Sequence, residues 1–174
     1  MKNHSVIDNG VRKWISRHVA VAGFIFSKDK KGNWYVLANK RGEGCPDFVG
    51  YWNCPCGYLD YDETTKEAIA REVREETGLK LESFKFKLDY IDDSPENSDK
   101  QNVTFRYHTK VKSFKNLALT TAFSEKEEVA EIKWIKLTEI HNYEWAFNHL
   151  NIIENIFKKH YKENKIKKFF KKIW

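Results

Sequence analysis

The chain has 174 residues, 41% hydrophobic and 32% charged, a composition that excludes an intrinsically disordered protein and predicts one globular domain. The longest apolar run, residues 19–26, is far shorter than a membrane span, and the first residues lack the apolar core of a signal peptide, so we expect a cytoplasmic protein. The formal net charge of +6 is uneven, because residues 158–174 contain eight lysines and one glutamate while the rest of the chain is close to neutral.

The first half of the chain predicts two strands after a lead-in. Residues 1–17 are polar and basic, and we expect them to be only partly ordered. Residues 18–27 are almost all apolar and rich in β-branched and aromatic side chains, which is typical of a strand buried on both faces. A turn cluster at 29–33 separates it from a second apolar segment at 34–39, so a hairpin is predicted.

Two cations, Lys40 and Arg41, come directly after the second predicted strand. Arginine is well suited to a bidentate grip on phosphate, so both are candidate substrate-binding residues; a solvated strand end is the alternative. Tyr58 lies among several aromatic residues that can either stack on a base or simply pack.

The three cysteines are Cys45, Cys54 and Cys56. An odd number in a chain without an export signal predicts reduced thiols, and the last two do not have the usual spacing of a zinc-binding pair.

Residues 57–79 contain the most informative pattern, a glycine turn followed by an acidic helix. Glu72, Glu75 and Glu76 are spaced i, i+3, i+4 and therefore lie on one helical face, although like charges at this spacing destabilise a helix. Ile69 and Val73 form the adjoining apolar face. Carboxylate oxygens are the ligands that Mg²⁺ and Mn²⁺ prefer, so this face predicts a cation site, with a solvated acidic face as the alternative.

The ends of this helix also carry signals. Asp60 or Asp62 is expected to cap its start, with Glu63 in the first turn, and Gly78 is expected to end it in a left-handed conformation. The helical period places Arg71 on the side turned away from the carboxylates.

This segment resembles the Nudix box, which reads glycine, five residues, glutamate, seven residues, then Arg-Glu-aliphatic-any-Glu-Glu-any-Gly-aliphatic. The chain fills all nine fixed positions, with Gly57, Glu63, Arg71, Glu72, Val73, Glu75, Glu76, Gly78 and Leu79. The resemblance implies an α/β fold, a Nudix-like α/β/α sandwich with a mixed β-sheet and a C-terminal helix. It also implies Mg²⁺-dependent hydrolysis, with Mn²⁺ as an alternative, of a diphosphate bond in a nucleoside diphosphate linked to another moiety.

The resemblance also implies roles for individual residues. Glu72 and Glu76 are the expected principal metal ligands, and Glu75 is expected to be a third ligand or to orient the attacking water. Arg71 is expected to position the acids. The remaining structural support for the site is assigned to Gly57, Glu63 and Gly78.

The residues before the box are similar to the family's Trp-x-x-Pro-Gly-Gly approach. Cys56 replaces the first glycine, and the resemblance implies that its backbone carbonyl joins the metal shell. Arg41 matches a position at which the family often has a basic residue.

The second half of the chain predicts three more strands. Residues 80–92 and 102–111 are expected to pair, with a polar, mobile loop at 92–100 between them. After a less regular connection, residues 129–137 look like the last strand of the family. The family often supplies a metal ligand or a general base from the loop before this strand, and Glu128 is preferred over Glu127 for that role.

A helix is expected from residue 144 onward, and its apolar residues change face near residue 164. Ordinary packing or a homodimer contact is the favoured explanation for the basic tail, with an anionic membrane surface or a nucleic acid backbone as alternatives. We therefore divide the chain into a lead-in (1–17), a catalytic domain (18–145) and a basic helical extension packed on it (146–174).

Three functions compete at this point. The first is hydrolysis of a small-molecule nucleotide substrate such as ADP-ribose, a nucleotide sugar or a nucleoside triphosphate. The second is hydrolysis at an RNA 5′ end, with the tail of residues 158–174 holding the backbone. The third is a non-catalytic Nudix-like binding or regulatory module, which the intact set of acids disfavours.

Overall fold

The computed structural model describes residues 4–94, 102–112, 114 and 127–162. Most of the predicted loop at 92–100, most of the connection at 112–124 and most of the basic tail at 158–174 lie outside these ranges. The expectations stated for those segments therefore stay predictions.

The predicted lead-in contains a β-hairpin. β1 (His4–Asp8) and β2 (Val11–Ile15) pair in antiparallel register through a two-residue turn. Asn9 and Gly10 in that turn have φ angles of 49° and 78°, which is the geometry of a tight hairpin turn. The Asn-Gly pair was the sequence signal for this hairpin, and the expectation of a partly ordered segment overlooked it.

The remaining strands form one mixed sheet, as predicted. They are β3 (Val19–Lys28), β4 (Trp34–Arg41), β5 (Trp52–Asn53), β6 (Cys56–Tyr58), β7 (Lys87–Asp92), β8 (Val103–Val111) and β9 (Val129–Lys136). The order is β5-β4-β3-β8-β7, with β6 beside β3 and β9 beside β4. β3 and β8 run parallel, and the other pairs are antiparallel.

Strand β3 is the centre of the fold because both of its faces are buried, as its apolar sequence predicts. On one face Phe24 and Phe26 pack with Ile153 of α2 (His149–His160). On the other face Ile25 packs with Ile69 of α1 (Thr65–Thr77). The sheet is therefore sandwiched between two helices, which confirms the predicted α/β/α architecture.

The start of α1 differs from the prediction, since neither Asp60 nor Asp62 caps it. Thr64 is the N-cap and forms a capping box with Glu67: the Glu67 N–H donates to Thr64 Oγ1 at 3.3 Å, and the Thr64 N–H donates to Glu67 Oε2 at 2.8 Å. Glu63 therefore precedes the helix. Gly78 ends it with a φ of 69°, as predicted.

Two element boundaries in the second half also differ from the prediction. The predicted strand at 80–92 begins only at Lys87, after a 3₁₀ turn at Ser83–Lys85, because Phe86 is buried while Phe84 is 74% exposed. Helix α2 begins at His149 rather than at residue 144, because Phe147 and Asn148 both have left-handed backbone conformations.

The end of α2 is attached to the sheet by a polar cluster. Asp89 Oδ1 lies 2.8 Å from Lys159 Nζ and 2.6 Å from His160 Nε2. The His160 ring stacks on His108 at 4.0 Å, and His108 Nδ1 lies 2.6 Å from the Tyr161 hydroxyl. His108 therefore belongs to the sheet face covered by α2, away from the acids of α1.

Candidate active site

The acids of α1 are brought against the backbone of β6. The Cys56 N–H donates to Glu76 Oε2 at 3.2 Å. Glu72 packs on Gly57, so closely that a Cβ added to this glycine would lie 2.1 Å from Glu72 Oε1. Any larger residue at position 57 would displace the carboxylate. The helix and the turn before it thus form one unit, in which the strand backbone sets the position of both acids.

Arg71 holds the outer acids in place. Its guanidinium donates to Glu63 Oε1 at 2.7 Å, to Glu72 Oε1 at 2.8 Å and to Glu75 Oε2 at 3.0 Å. It also donates to the Tyr58 carbonyl at 3.0 Å. The prediction that Arg71 turns away from the acids was wrong, because its long side chain curls back over them although its Cα lies on another face of the helix. These contacts support the positioning role assigned to Arg71 and the supporting role assigned to Glu63.

The electrostatics of the site are unfavourable for bare carboxylates. Burial raises the pKa of Glu72 to about 7, although Arg71 beside it acts in the opposite direction. Burial also raises the pKa of Glu76 well above its usual range, and the neighbouring charges of Glu72 and Glu128 add to the rise. Two partly buried acids that lack enough positive charge around them form a site that favours a cation.

Glu128 reaches this site through a loop contact between distant segments. The Gly42 N–H donates to the Glu128 carbonyl at 2.8 Å, and Cys45 Sγ lies 3.2 Å from the same oxygen. A Cβ at Gly42 would lie 2.0 Å from the Glu127 carbonyl, so the loop before β9 packs directly on the end of β4. The role of Glu128 as metal ligand or base stays a prediction, and the proximity of Glu128 to Glu72 and Glu76 supports that prediction.

Arg41 is close to the acids but is already engaged. Its side chain is 11% exposed and donates to the Asp47 carboxylate at 2.7 Å and to the Asp47 carbonyl at 2.9 Å. Its guanidinium also lies 4.8 Å from the Phe147 ring centroid, and its charge lowers the pKa of Glu76. Arg41 is thus held rigidly beside the acids, and binding of substrate phosphate by Arg41 and Lys40 stays a prediction.

Tyr58 is 48% exposed and lies directly after Gly57. Its ring lies 5.5 Å from that of His18, and its hydroxyl lies 3.5 Å from Asn102 Nδ2. Strand alternation places the Tyr58 side chain on the opposite face of β6 from Gly57, which faces Glu72, so contact of this exposed ring with substrate stays a prediction.

Two buried polar residues behind the Cys54–Cys56 turn were not predicted. His149 is 4% exposed, and its Nδ1 accepts the Cys54 N–H at 3.0 Å across 95 positions of sequence. Asn53 Nδ2 donates to the Cys54 carbonyl at 3.1 Å and lies 3.3 Å from Cys56 Sγ. Together they orient the turn that presents the Cys56 N–H to Glu76. No local pattern distinguishes His149, whereas an asparagine directly before a cysteine–proline turn was a usable signal.

The donor set fits a hard divalent cation. Glu72 and Glu76 present partly buried carboxylate oxygens, and Glu75 and Glu128 are the further acids nearby. Within the described ranges, no three acidic, histidine or cysteine side chains already stand in a coordinating arrangement. Glu72 and Glu75 share Arg71 through one oxygen each, Oε1 of Glu72 and Oε2 of Glu75, so the remaining lone pairs of these carboxylates can take a cation while Arg71 keeps its contacts. That the backbone carbonyl of Cys56 is a metal ligand stays a prediction. All three cysteines are free thiols, as expected.

Comparison with known proteins gives consistent results along most of the chain. A family model described as NUDIX domain matches residues 16–156. The chain is 39% identical over 64 residues to a MutT-like protein of Streptomyces ambofaciens and 40% identical over 68 residues to an ADP-ribose pyrophosphatase of Methanocaldococcus jannaschii. These alignments cover 37% and 39% of this chain and 36% of each relative, so the chain spans about a third of their length.

The fold is also similar to that of a solved structure. The NUDIX domain of Shewanella oneidensis NrtR, crystallised with ADP ribose, superposes with a TM-score of 0.69 at 21% identity, over 83% of this chain and 89% of that one. In the part of the chain that the structure describes, neither helix has the length and apolarity needed to cross a membrane.

Proposed function

The chain belongs to the Nudix family, and we propose that it is a pyrophosphohydrolase that cleaves a diphosphate bond in a nucleoside diphosphate linked to another moiety. One observation carries the proposal: Glu72 and Glu76 lie partly buried, side by side against the backbone of β6, and Glu128 lies near both. Packing alone does not favour such a cluster of like charges.

A bound Mg²⁺ or Mn²⁺ would polarise the phosphoryl oxygens and lower the pKa of a bound water. Glu72 and Glu76 would hold that cation, and the carbonyl of Cys56 would complete its shell. The remaining acids, Glu75 and Glu128, are the candidates to orient the attacking water and accept its proton. Arg71 keeps Glu75 aligned through its 3.0 Å contact.

The substrate would enter from the side of Tyr58 and Arg41. Tyr58 offers an exposed ring for a base, and Arg41 offers positive charge for the phosphate that remains on the nucleoside. A matching relative is named an ADP-ribose pyrophosphatase, and a similar structure contains ADP ribose. We therefore place ADP-ribose first among the substrates to test, ahead of nucleotide sugars and nucleoside triphosphates.

The test is a Glu76→Gln substitution. Glutamine has nearly the same shape, and its amide oxygen can still accept the Cys56 N–H, so the variant should fold normally. We expect it to lose at least about 100-fold in turnover, because a principal ligand is removed. Release of AMP and ribose 5-phosphate from ADP-ribose, with Mg²⁺, Mn²⁺ or chelator, measures the loss.

Glu82→Gln provides a matched control, because Glu82 is exposed and remote from the acids. Circular dichroism establishes that both variants are folded. Wild-type turnover in a folded Glu76→Gln protein would contradict the assignment. A wild-type chain inactive on every small nucleotide but active on triphosphorylated RNA would favour the RNA 5′-end function, and inactivity on both would favour a binding module.

A further inference from the structure

A second concave site lies at the other end of the sheet from the acids. It is an open depression with a volume of about 740 Å³, and among the described residues that line it are five lysines, Lys28, Lys30, Lys31, Lys112 and Lys136. We call it the lysine pocket. β4 begins at this pocket and ends at Arg41 beside Glu76, and its length of about 20 Å separates the two sites.

The fold, rather than a run of sequence, brings these lysines together. Lys28 ends β3, and Lys30 and Lys31 lie in the turn to β4. Lys112 directly follows β8, and Lys136 ends β9. Four segments therefore converge with the same sign of charge around one concavity. Such an arrangement destabilises the free protein slightly and favours binding of an anion.

The positive charge is not neutralised within the described part of the chain, where none of the five lysines forms an ion pair. Among the residues that the structure describes, Asp29 is the single acid that lines the pocket, and its carboxylate is hydrogen-bonded within its own turn. Its Oδ1 accepts the Asn33 N–H at 2.8 Å, and its Oδ2 accepts the Asn33 side-chain amide at 2.8 Å and the Tyr35 hydroxyl at 3.3 Å. Lys28 Nζ lies over the Trp34 ring, 5.4 Å from its centroid, a contact that leaves its charge in place, and the ammonium groups of the other four lysines remain available to a ligand.

One side of the pocket is aromatic. Tyr35 and Phe114 meet edge to face, with ring centroids 4.8 Å apart, and Phe114 is 40% exposed. Phe114 in turn meets Trp134 edge to face at 5.5 Å. An apolar surface beside several cations suits a ligand that has phosphates at one end.

We propose that the lysine pocket binds a small, multiply phosphorylated anion at a site separate from the acids of α1. The charge surrounds a concavity instead of forming a stripe along the surface, and this favours a compact polyphosphate over an extended nucleic acid strand. The inference does not depend on the proposed hydrolysis, because it involves none of the residues assigned to that reaction.

The experiment is calorimetric titration of the full chain with inorganic tripolyphosphate, in chelator and at about 0.1 M salt. Chelator removes any cation, so the acids of α1 repel the probe and do not contribute binding. We expect one tripolyphosphate per chain. The double variant Lys112→Gln/Lys136→Gln should weaken binding roughly tenfold, since each exposed ion pair contributes modestly. Lys80→Gln/Lys85→Gln, which removes the same charge from exposed positions elsewhere, should bind as the wild type does.

The controls distinguish the pocket from general attraction to a basic protein. Equal weakening in both double variants, or no binding by the wild type, would overturn the proposal. Tighter binding of a short single-stranded RNA than of tripolyphosphate, lost in the same variant, would overturn it in favour of a nucleic acid surface. If Lys112→Gln/Lys136→Gln does not fold, Lys28→Gln/Lys31→Gln probes the opposite side of the pocket.

Discussion

Replacing Gly57 by alanine tests directly whether the backbone of β6 sets the position of a metal ligand. The new Cβ would lie 2.1 Å from Glu72 Oε1, 2.4 Å from Cδ and 2.7 Å from Oε2. Ordinary contact begins near 3.4 Å, so the carboxylate has to retreat by about 1.3 Å. A displacement of about 1 Å in a catalytic group can cost roughly 100-fold in rate, and we expect a loss of that order in kcat.

The same substitution should have only a moderate effect on stability. Overpacking of this kind destabilises by about 1–3 kcal/mol, and the lower entropy of the unfolded alanine chain offsets about 0.4–1 kcal/mol of it. Urea denaturation measures the net change. In a protein that already carries Glu72→Ala the clash is absent, so adding Gly57→Ala should leave the free energy of unfolding unchanged or raise it slightly.

Gly23→Ala is a matched control for this experiment. Its Cβ would meet Ile69 Cδ1 at 2.8 Å, so it also overpacks the side of the sheet that faces α1 but touches no carboxylate. We expect it to lower stability without a comparable loss of kcat in the folded protein. Equal costs of Gly57→Ala with and without Glu72, or unchanged turnover in Gly57→Ala, would refute the reasoning.

Two further predictions concern residues that support the site. Arg71→Lys should reduce turnover by about 10–100-fold and lower the melting temperature, because one ammonium group cannot bridge Glu63, Glu72 and Glu75 at once; wild-type kinetics would contradict this. Burial lowers the pKa of His149 to about 3, so below a pH of about 6.5 the unfolded chain binds a proton at this residue that the folded protein does not bind. The contribution of His149 to stability should therefore be complete above that pH and fall as the pH drops toward 3. His149→Asn keeps an acceptor for the Cys54 N–H and removes the titrating imidazole. The free energy of unfolding in urea, measured from pH of about 7 to 5, should therefore depend less on pH in this variant than in the wild type. The same pH dependence in both proteins would exclude His149 as its source.

Features encoded locally could be predicted from the sequence. The acids of the box share a helical face because the period of an α-helix places them there, and Gly78 ends the helix because glycine adopts the left-handed conformation without strain. β3 was predicted because its apolar run matches a strand buried on both faces.

Features that depend on a choice between several possible caps, on the reach of a long side chain or on contacts between distant segments were not predicted. Asp60 or Asp62 was the predicted cap, whereas the reciprocal bonds of Thr64 with Glu67 make Thr64 the cap. Arg71 faces the acids through the length of its side chain, which a helical projection ignores. His149 supports the Cys54 turn from the far end of the chain, and only the folded structure brings them together.

The side chains of β3 alternate between two faces, and this separates the packing that stabilises the fold from the packing that supports the acids. Ile25 belongs to the layer beneath α1, whereas Phe24 and Phe26 belong to the layer beneath α2. The layer under α2 meets the acids through the Cys54–Cys56 turn, which His149 supports and which presents the Cys56 N–H to Glu76. Substitutions elsewhere under α2 can therefore raise the thermal tolerance of this chain while the charge-rich side under α1 retains its chemistry.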